Sequence, residues 1–235
     1  MSLRLYTDLE SIPDQREGAF ERYLDQVKPP GQYKKQDSID KWLAENAEAE
    51  AEKDYLKTGL TGLHGEICSI AFALDDSEII QVGRTNMGHE SELLLEFWDE
   101  LGAMAEKLTP GGQMPRLQWI GHNVIDFDLR FLKQRSIVNG IKPPFLVPAD
   151  AKHGGDWVFD TMKEWAGWRG YVKQDELIEA LGIEVPDTIA QDVDGSMVWD
   201  LFKAGEFETI AEYNRLDVWR VREIYRRMTF AEERQ

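Results

Sequence analysis

RLQWIGHNVIDFDLRFLKQRSIV, residues 116–138, holds two elements joined without a spacer. RLQWIGHNV (116–124) reads as a strand, and DFDLRFLKQRSIV (126–138) as a helix entered through an acidic turn and stopped at Asn139-Gly140. A strand that turns directly into a helix is the joint of an α/β sheet, and the carboxyl end of such a strand is where these sheets tend to bind ligands. Asp126 has a ready reading as an N-cap or first-turn acid. Asp128 has Val124 four positions before it and Leu132 four after, which sets it toward the inward stripe; a first-turn acid answering the helix dipole is the alternative.

Working outward, residues 3–9 read as a short strand stopped by Pro13, and GEICSIAFALDD (65–76) and EIIQVGRT (78–85) as a hairpin split at Asp75-Asp76-Ser77. HESELLLEFWDELGAMAEKL (89–108) places Leu93, Leu94, Phe97, Trp98, Leu101, Met104 and Leu108 at helical spacing, and PGGQMP (110–115) breaks the chain. Further on come a short strand, DWVFDTM (156–162), a helix closed at Gly182 (173–182) and a long final helix over 206–228. This order suits one α/β domain over 1–235, its mixed sheet opening with an antiparallel meander. Residues 14–58 differ in texture, with PPG at 29–31 and an Ala/Glu-rich segment N-capped by Ser38. They read as an insertion carrying one helix after a mobile loop; Tyr33, Lys34 and Lys35 would suit a nucleic-acid contact, although a solvated loop is the simpler reading.

With 235 residues, 42% of them hydrophobic, the chain can bury a sizeable core. Its 27 basic and 44 acidic residues, net charge −17, argue against bulk electrostatic grip on nucleic acid. They leave room for an enzyme that holds metal ions and touches only a few nucleotides. The lone Cys68 excludes an internal disulfide and a zinc-binding cysteine cluster, so a reducing compartment, the cytoplasm by default, is expected. No apolar h-region opens the sequence and no run of about 18 apolar residues occurs, so neither an export signal nor a membrane span is expected.

Two further stretches carry acids in awkward places. In LYTDLESIP (5–13), Asp8 and Glu10 share one face of a strand, where they repel unless a cation such as magnesium sits between them. A chain this acidic also makes such pairs by chance, as Asp76 and Glu78 show in a turn. In IAEYNRLDVWRVREIY (210–225), Ile210, Val221 and Ile224 form an apolar stripe on which Tyr213 and Asp217 also fall. A carboxylate there is costly unless it is paired or bound to metal, so an interior salt bridge with an arginine is the alternative for Asp217. Arg215, Arg220, Arg222, Arg226 and Arg227 suit either phosphates or a solvated face. Trp157, Trp165, Trp168 and Trp199 suit either base stacking or the core, and His122 reads as structural.

In that order, T-D-L-E-S (7–11), H-N-V-I-D-F-D-L-R-F-L (122–132) and Y-N-R-L-D-V (213–218) resemble the three exonuclease motifs of the DnaQ-like, or DEDD, 3′-5′ exonucleases. Tyr213, four before Asp217, is similar to the tyrosine (DEDDy) type; the histidine type has His five before, where Glu212 stands. The resemblance runs from residue 5 to about 228, and DGSMVWDLFKAGEFETIAEYNRLDV (194–218) is similar to stand-alone exonucleases related to the proofreading domain of family B DNA polymerases. It implies an RNase H-like fold, a five-stranded mixed sheet flanked by helices. It also implies that Asp8, Glu10, Asp128 and Asp217 hold two Mg²⁺ or Mn²⁺ ions, about 4 Å apart in such sites. By the same resemblance Tyr213 orients the attacking water, Asn123 and Phe127 lie on the substrate side, and Asp126 stays outside the metal set. The implied partner is a single-stranded nucleic-acid 3′ end, DNA favoured over RNA, in the service of replication or repair. A ribonuclease of the same superfamily and a non-catalytic RNase H-like binding module are the rivals.

Overall fold

A computed structural model describes residues 2–85, 88–109 and 115–231, so most of the expected break at 110–115 lies outside the described residues. Its strands are β1 (Ser2–Ile12), β2 (Glu66–Leu74), β3 (Ile80–Gly83), β4 (Arg116–Gly121) and β5 (Val158–Asp160). Its α-helices are α1 (Ala19–Leu24), α2 (Gln36–Lys57), α3 (Glu90–Leu108), α4 (Asp128–Val138), α5 (Thr161–Ala166), α6 (Gln174–Ala180), α7 (Val198–Ala204) and α8 (Phe207–Met228). The strands form one sheet in the order β3-β2-β1-β4-β5. β2 pairs antiparallel with β3, as expected of a hairpin, whereas β1–β4 and β4–β5 are parallel. Bonds from Asp75 N to Arg4 O, Thr7 Oγ1 to Ala71 O and Cys68 Sγ to Glu10 O run β2 opposite to β1. This is the mixed, helix-flanked α/β sheet of an RNase H-like fold.

β1 is buried on both faces, and its two parities serve different sides. Leu3, Leu5 and Leu9 join Trp119 of β4 with Leu94, Phe97, Leu129 and Phe131 of α3 and α4 in the main core. Tyr6 faces the other way and packs with Ile120, Val218 and Val221, its ring edge-on to Tyr225 at 5.6 Å. Since side chains alternate along a strand, Asp8 and Glu10 are sent to the Tyr6 side, toward α8.

Several boundaries differ from the sequence reading. β4 stops at Gly121, not at 124, because the backbone folds back on itself there: a Cβ at Gly121 would lie 2.6 Å from Val124 Cβ. Asn123 then takes a positive φ of 61°, and α4 starts at Asp128, not at 126. β5 is three residues long because the Asp160 side chain accepts the N–H groups of Met162 and Lys163 and opens α5. α5 and α7, at six and seven residues, were too short to show a helical period. Gly182, at φ 61°, closes α6 as expected.

The described chain divides into two compact units, one made of residues up to Glu10 and from Ile67 onward, the other of Ser11–Glu66. The second unit holds two helices where one was expected. Phe20 and Tyr23 meet Tyr55 edge-on at 5.8 and 6.3 Å, and Tyr33 rests on Trp42 at 6.2 Å. α2 begins at Gln36, so Ser38 is its third residue; the Lys35 carbonyl takes the first helical N–H bonds, and Asp37 answers the dipole. Lys34 and Lys35 are exposed. No described helix is long and apolar enough to cross a membrane.

In the first unit a buried ion pair went unread. Arg135 Nη2 lies 2.6 Å from Glu90 Oε2, their side chains 7% and 3% exposed. Glu90 also accepts Ile67 N–H and Asn139 Nδ2, each at 2.7 Å, tying α3, α4 and β2 together. Such a pair adds little net stability, but removing one partner strands the other's charge. Glu90→Gln is therefore expected to cost about 3 kcal/mol, seen as a lower urea midpoint at unchanged m-value.

Candidate active site

Asp8, Glu10 and Asp217 present carboxylate oxygens that lie within 4.8 Å of one another. β1 supplies the first two through its parity. α8 supplies the third because Asp217 lies among the buried Ile210, Val218, Val221 and Ile224. Asp128, 5% exposed, stands at the first position of α4, where its Oδ1 accepts the Leu9 N–H at 3.0 Å, between the two β1 acids. It is outside the 4.8 Å set, yet its charge bears on both Asp8 and Glu10. The Tyr213 side chain, one turn before Asp217, lies close enough to the Asp217 carboxylate for the two groups to bear on each other's ionisation.

Like charges at this separation repel by roughly 3–4 kcal/mol per pair at an effective dielectric constant near 20. Three such pairs rival the whole stability of a typical domain, about 5–15 kcal/mol. Arg220, whose Nη1 lies 2.9 Å from Asp217 Oδ1, offsets only part of this. Protons make up the difference when no cation is present. Burial pushes Asp128 up to about 7, against the pull of the Leu9 N–H. Burial pushes Asp217 to about 6, with Arg220 pulling the other way. Asp8 and Glu10 go well above the usual carboxyl range through burial and the neighbouring acids. Burial and those acids also raise the Tyr213 phenol, which keeps its proton at neutral pH.

Two supports escaped the sequence reading, a chain through Asn214 and the side chain of Asp160. Asn214, fully buried, donates from Nδ2 to Asp8 Oδ2 at 2.7 Å and accepts the Ser69 hydroxyl at 2.7 Å; Ser69 in turn accepts Gln81 Nε2 at 2.9 Å. This chain of donors points toward Asp8 and fixes the orientation of its carboxylate. Asp160, 1% exposed, accepts backbone N–H groups from Asn123, Ile125, Met162 and Lys163 at 3.0–3.2 Å, and so holds the turn before Asp128. Its place at a strand end followed by Thr161 was a readable N-cap signal. Asn214 carried none, since its partners Asp8 and Ser69 lie on β1 and β2, far away in sequence.

The remaining sequence candidates sort by contact. Asn123 and Phe127 occupy the turn beside Asp128, both partly exposed, with Phe127 against Phe131 at 5.4 Å. Asp126 pairs with Lys163 at 2.9 Å. His122 bridges the Thr161 hydroxyl and the Val172 carbonyl. Asp76 is held by Arg226 at 2.8 Å, so the second Asp-x-Glu is a turn feature. The arginine alternative for Asp217 is met by Arg220, and the acid cluster exists beside it. Arg215, Arg222 and Arg226 are engaged by Glu212, the Ser77 carbonyl and Asp76.

A set of buried or half-buried, mutually repelling oxygen donors with neither Cys nor His among them fits a hard divalent cation such as Mg²⁺ or Mn²⁺. Residues 53–234 match the model of a family described as predicted 3′-5′ exonucleases related to the exonuclease domain of PolB. The chain belongs to that family. Membership implies a nucleic-acid substrate and hydrolase chemistry. The match contains Asp128, Tyr213 and Asp217, while Asp8 and Glu10 lie before it and join the others through β1. A comparison with curated proteins finds no match.

The four acids titrate above the range of unfolded carboxyls, about 3.9–4.3, so in metal-free protein protonation favours the fold. That stability is complete below pH about 4 and is lost as the pH climbs through about 6 and about 7, where Asp217 and Asp128 ionise. The melting temperature of metal-free protein is expected to fall between pH 5 and 7.5, and Asp8→Asn to raise it at pH 7.5. Differential scanning fluorimetry with chelator checks both; a flat profile would contradict the repulsion.

Proposed function

We propose that this exonuclease hydrolyses the last phosphodiester bond at the 3′ end of single-stranded DNA and releases nucleoside 5′-monophosphates, using two divalent ions. The three carboxylates gathered within 4.8 Å carry this reading. Asp8, Glu10 and Asp217, with Asp128, would hold Mg²⁺ or Mn²⁺, which supply water activation and stabilisation of the leaving oxygen. The protein's part is orientation. Asn214 occupies one oxygen of Asp8, Arg220 one of Asp217 and the Leu9 N–H one of Asp128, so each acid has an oxygen left to turn toward a cation. Tyr213, protonated and beside Asp217, has its oxygen lone pairs available to accept a hydrogen bond from the attacking water.

Asn123 and Phe127 would meet the substrate from the turn that Asp160 holds. The catalytic domain is one RNase H-like domain with residues 14–58 as its insertion. The buried lone Cys68 suits a reducing compartment such as the cytoplasm, where a replication or repair machine would be the partner.

On a 5′-labelled single-stranded oligonucleotide with Mn²⁺, Asp8→Ala and Asp217→Ala are expected to lower kcat by roughly 10³-fold, and Tyr213→Phe by roughly 10²-fold. Degradation that persists in both alanine variants would remove the assignment, and a large preference for labelled RNA would replace DNA as the substrate. Asn214→Ala is expected to weaken Mn²⁺ binding about 10- to 100-fold, measured by calorimetry without nucleic acid.

A further inference from the structure

The stretch WAGWRGY, 165–171, is short of reasons to look as it does. Among the described residues the exposed aromatic side chains are Trp157, Trp165, Trp168, Tyr171 and Phe230. Trp157 is covered by the Arg116 guanidinium at 4.0 Å. Three of the others crowd into these seven residues, 51%, 66% and 73% exposed. Single exposed aromatics are ordinary; three within seven residues, Trp165 at the end of α5 and Trp168 and Tyr171 in the loop after it, mark a surface that is used.

The loop is built, not slack. Gly167 has φ 81° and ψ 168°, a region essentially reserved for glycine. A Cβ at Gly170 would lie 2.0 Å from the Ala166 carbonyl oxygen, so only glycine permits that turn. At one end Asp160 caps α5; at the other His122 Nε2 bonds the Val172 carbonyl at 3.0 Å. The same two residues border or hold the Asn123–Phe127 turn. The loop is thereby fixed to the turn beside the acids, and this gives His122 its purpose.

Between loop and turn lies a pocket of about 430 Å³ lined by Ile125, Asp126, Ala151, Lys152, His153, Lys163 and Trp168, a size in the range of small-molecule sites. Lys163 is taken by Asp126 and His153 faces Glu164 at 3.3 Å, but Lys152 is exposed and has no ion-pair partner among the described residues. The Arg169 guanidinium lies 4.7 Å from the Trp168 ring centroid. Aromatic faces beside basic side chains are what an unpaired strand needs, since every base has a π-face and every linkage a charge.

We propose that this loop is a stacking platform for unpaired bases upstream of the cleaved 3′ end, with Trp168 as its main surface and Lys152 as a phosphate contact. The platform rests on the exonuclease reading and extends it to the body of the strand. The test is binding of 5′-fluorescein oligo(dT) in chelator, followed by anisotropy. Trp168→Ala is expected to weaken binding about tenfold or more, Trp168→Phe to restore most of it, and Lys152→Ala to reduce the salt slope by about one. Hydrolysis of thymidine 5′-(4-nitrophenyl phosphate), which has no upstream base, should proceed at the wild-type rate in Trp168→Ala. Unchanged oligonucleotide affinity in Trp168→Ala would overturn the platform, as would an equal loss on the mononucleotide ester. A wild type that degrades no polymer would instead defeat the exonuclease reading, with the chelated binding comparison still deciding the platform.

Discussion

Mutual repulsion among carboxylates that the fold forces together is the constraint on which this molecule turns. Asp8 and Glu10 cannot move apart, because Leu9 between them is locked in the main core and their own parity is fixed by Tyr6. Asp217 cannot withdraw, because Val218 and Val221 anchor the same turn of α8 against the sheet. Well-packed apolar contacts on both faces of one strand thus hold like charges within 4.8 Å. A fold that accepts this cost has a use for a cation at that place.

The polar scaffolding around the acids follows from the same need. Each of Asp8, Asp128 and Asp217 has one oxygen occupied by a donor that cannot wander: a buried amide, a strand N–H, a buried guanidinium. Asp160 performs a different service, collecting four backbone N–H groups so that the chain can leave β4, turn through the left-handed Asn123 and re-enter a helix at Asp128. His122 extends that order to the aromatic loop through the Val172 carbonyl. Turn and loop are therefore held together through Asp160 and His122, while Asn214 and Arg220 hold Asp8 and Asp217.

Strong period and punctuation made much of the fold legible. The α3 stripe, the hairpin at Asp75–Ser77, the Gly182 stop and the uninterrupted α8 all stand close to where local signals put them. The misses share a cause. α5 and α7 are shorter than two turns, β4 ends where a backbone close approach at Gly121 bends the chain, and α1 lies in a segment whose composition resembled loop. Asn214, Ser69 and Gln81 were invisible because their value lies in meeting one another across three elements. The Glu90–Arg135 pair was hidden in the same way, 45 residues apart.

By itself the sequence determined the order of elements, the parity of Asp8 and Glu10 on one strand face, and the placing of Tyr213 and Asp217 on the inward stripe of the last helix, since strand and helix periods are local properties of the backbone. Only the tertiary structure decided that the acids of β1 and α8 converge, that Arg220 sits beside Asp217 without neutralising the group, and that Asp128 serves the Leu9 N–H at the edge of the cluster. Distances between elements depend on how two-sided packing seats α4 and α8 on the sheet, and no local pattern encodes that seating.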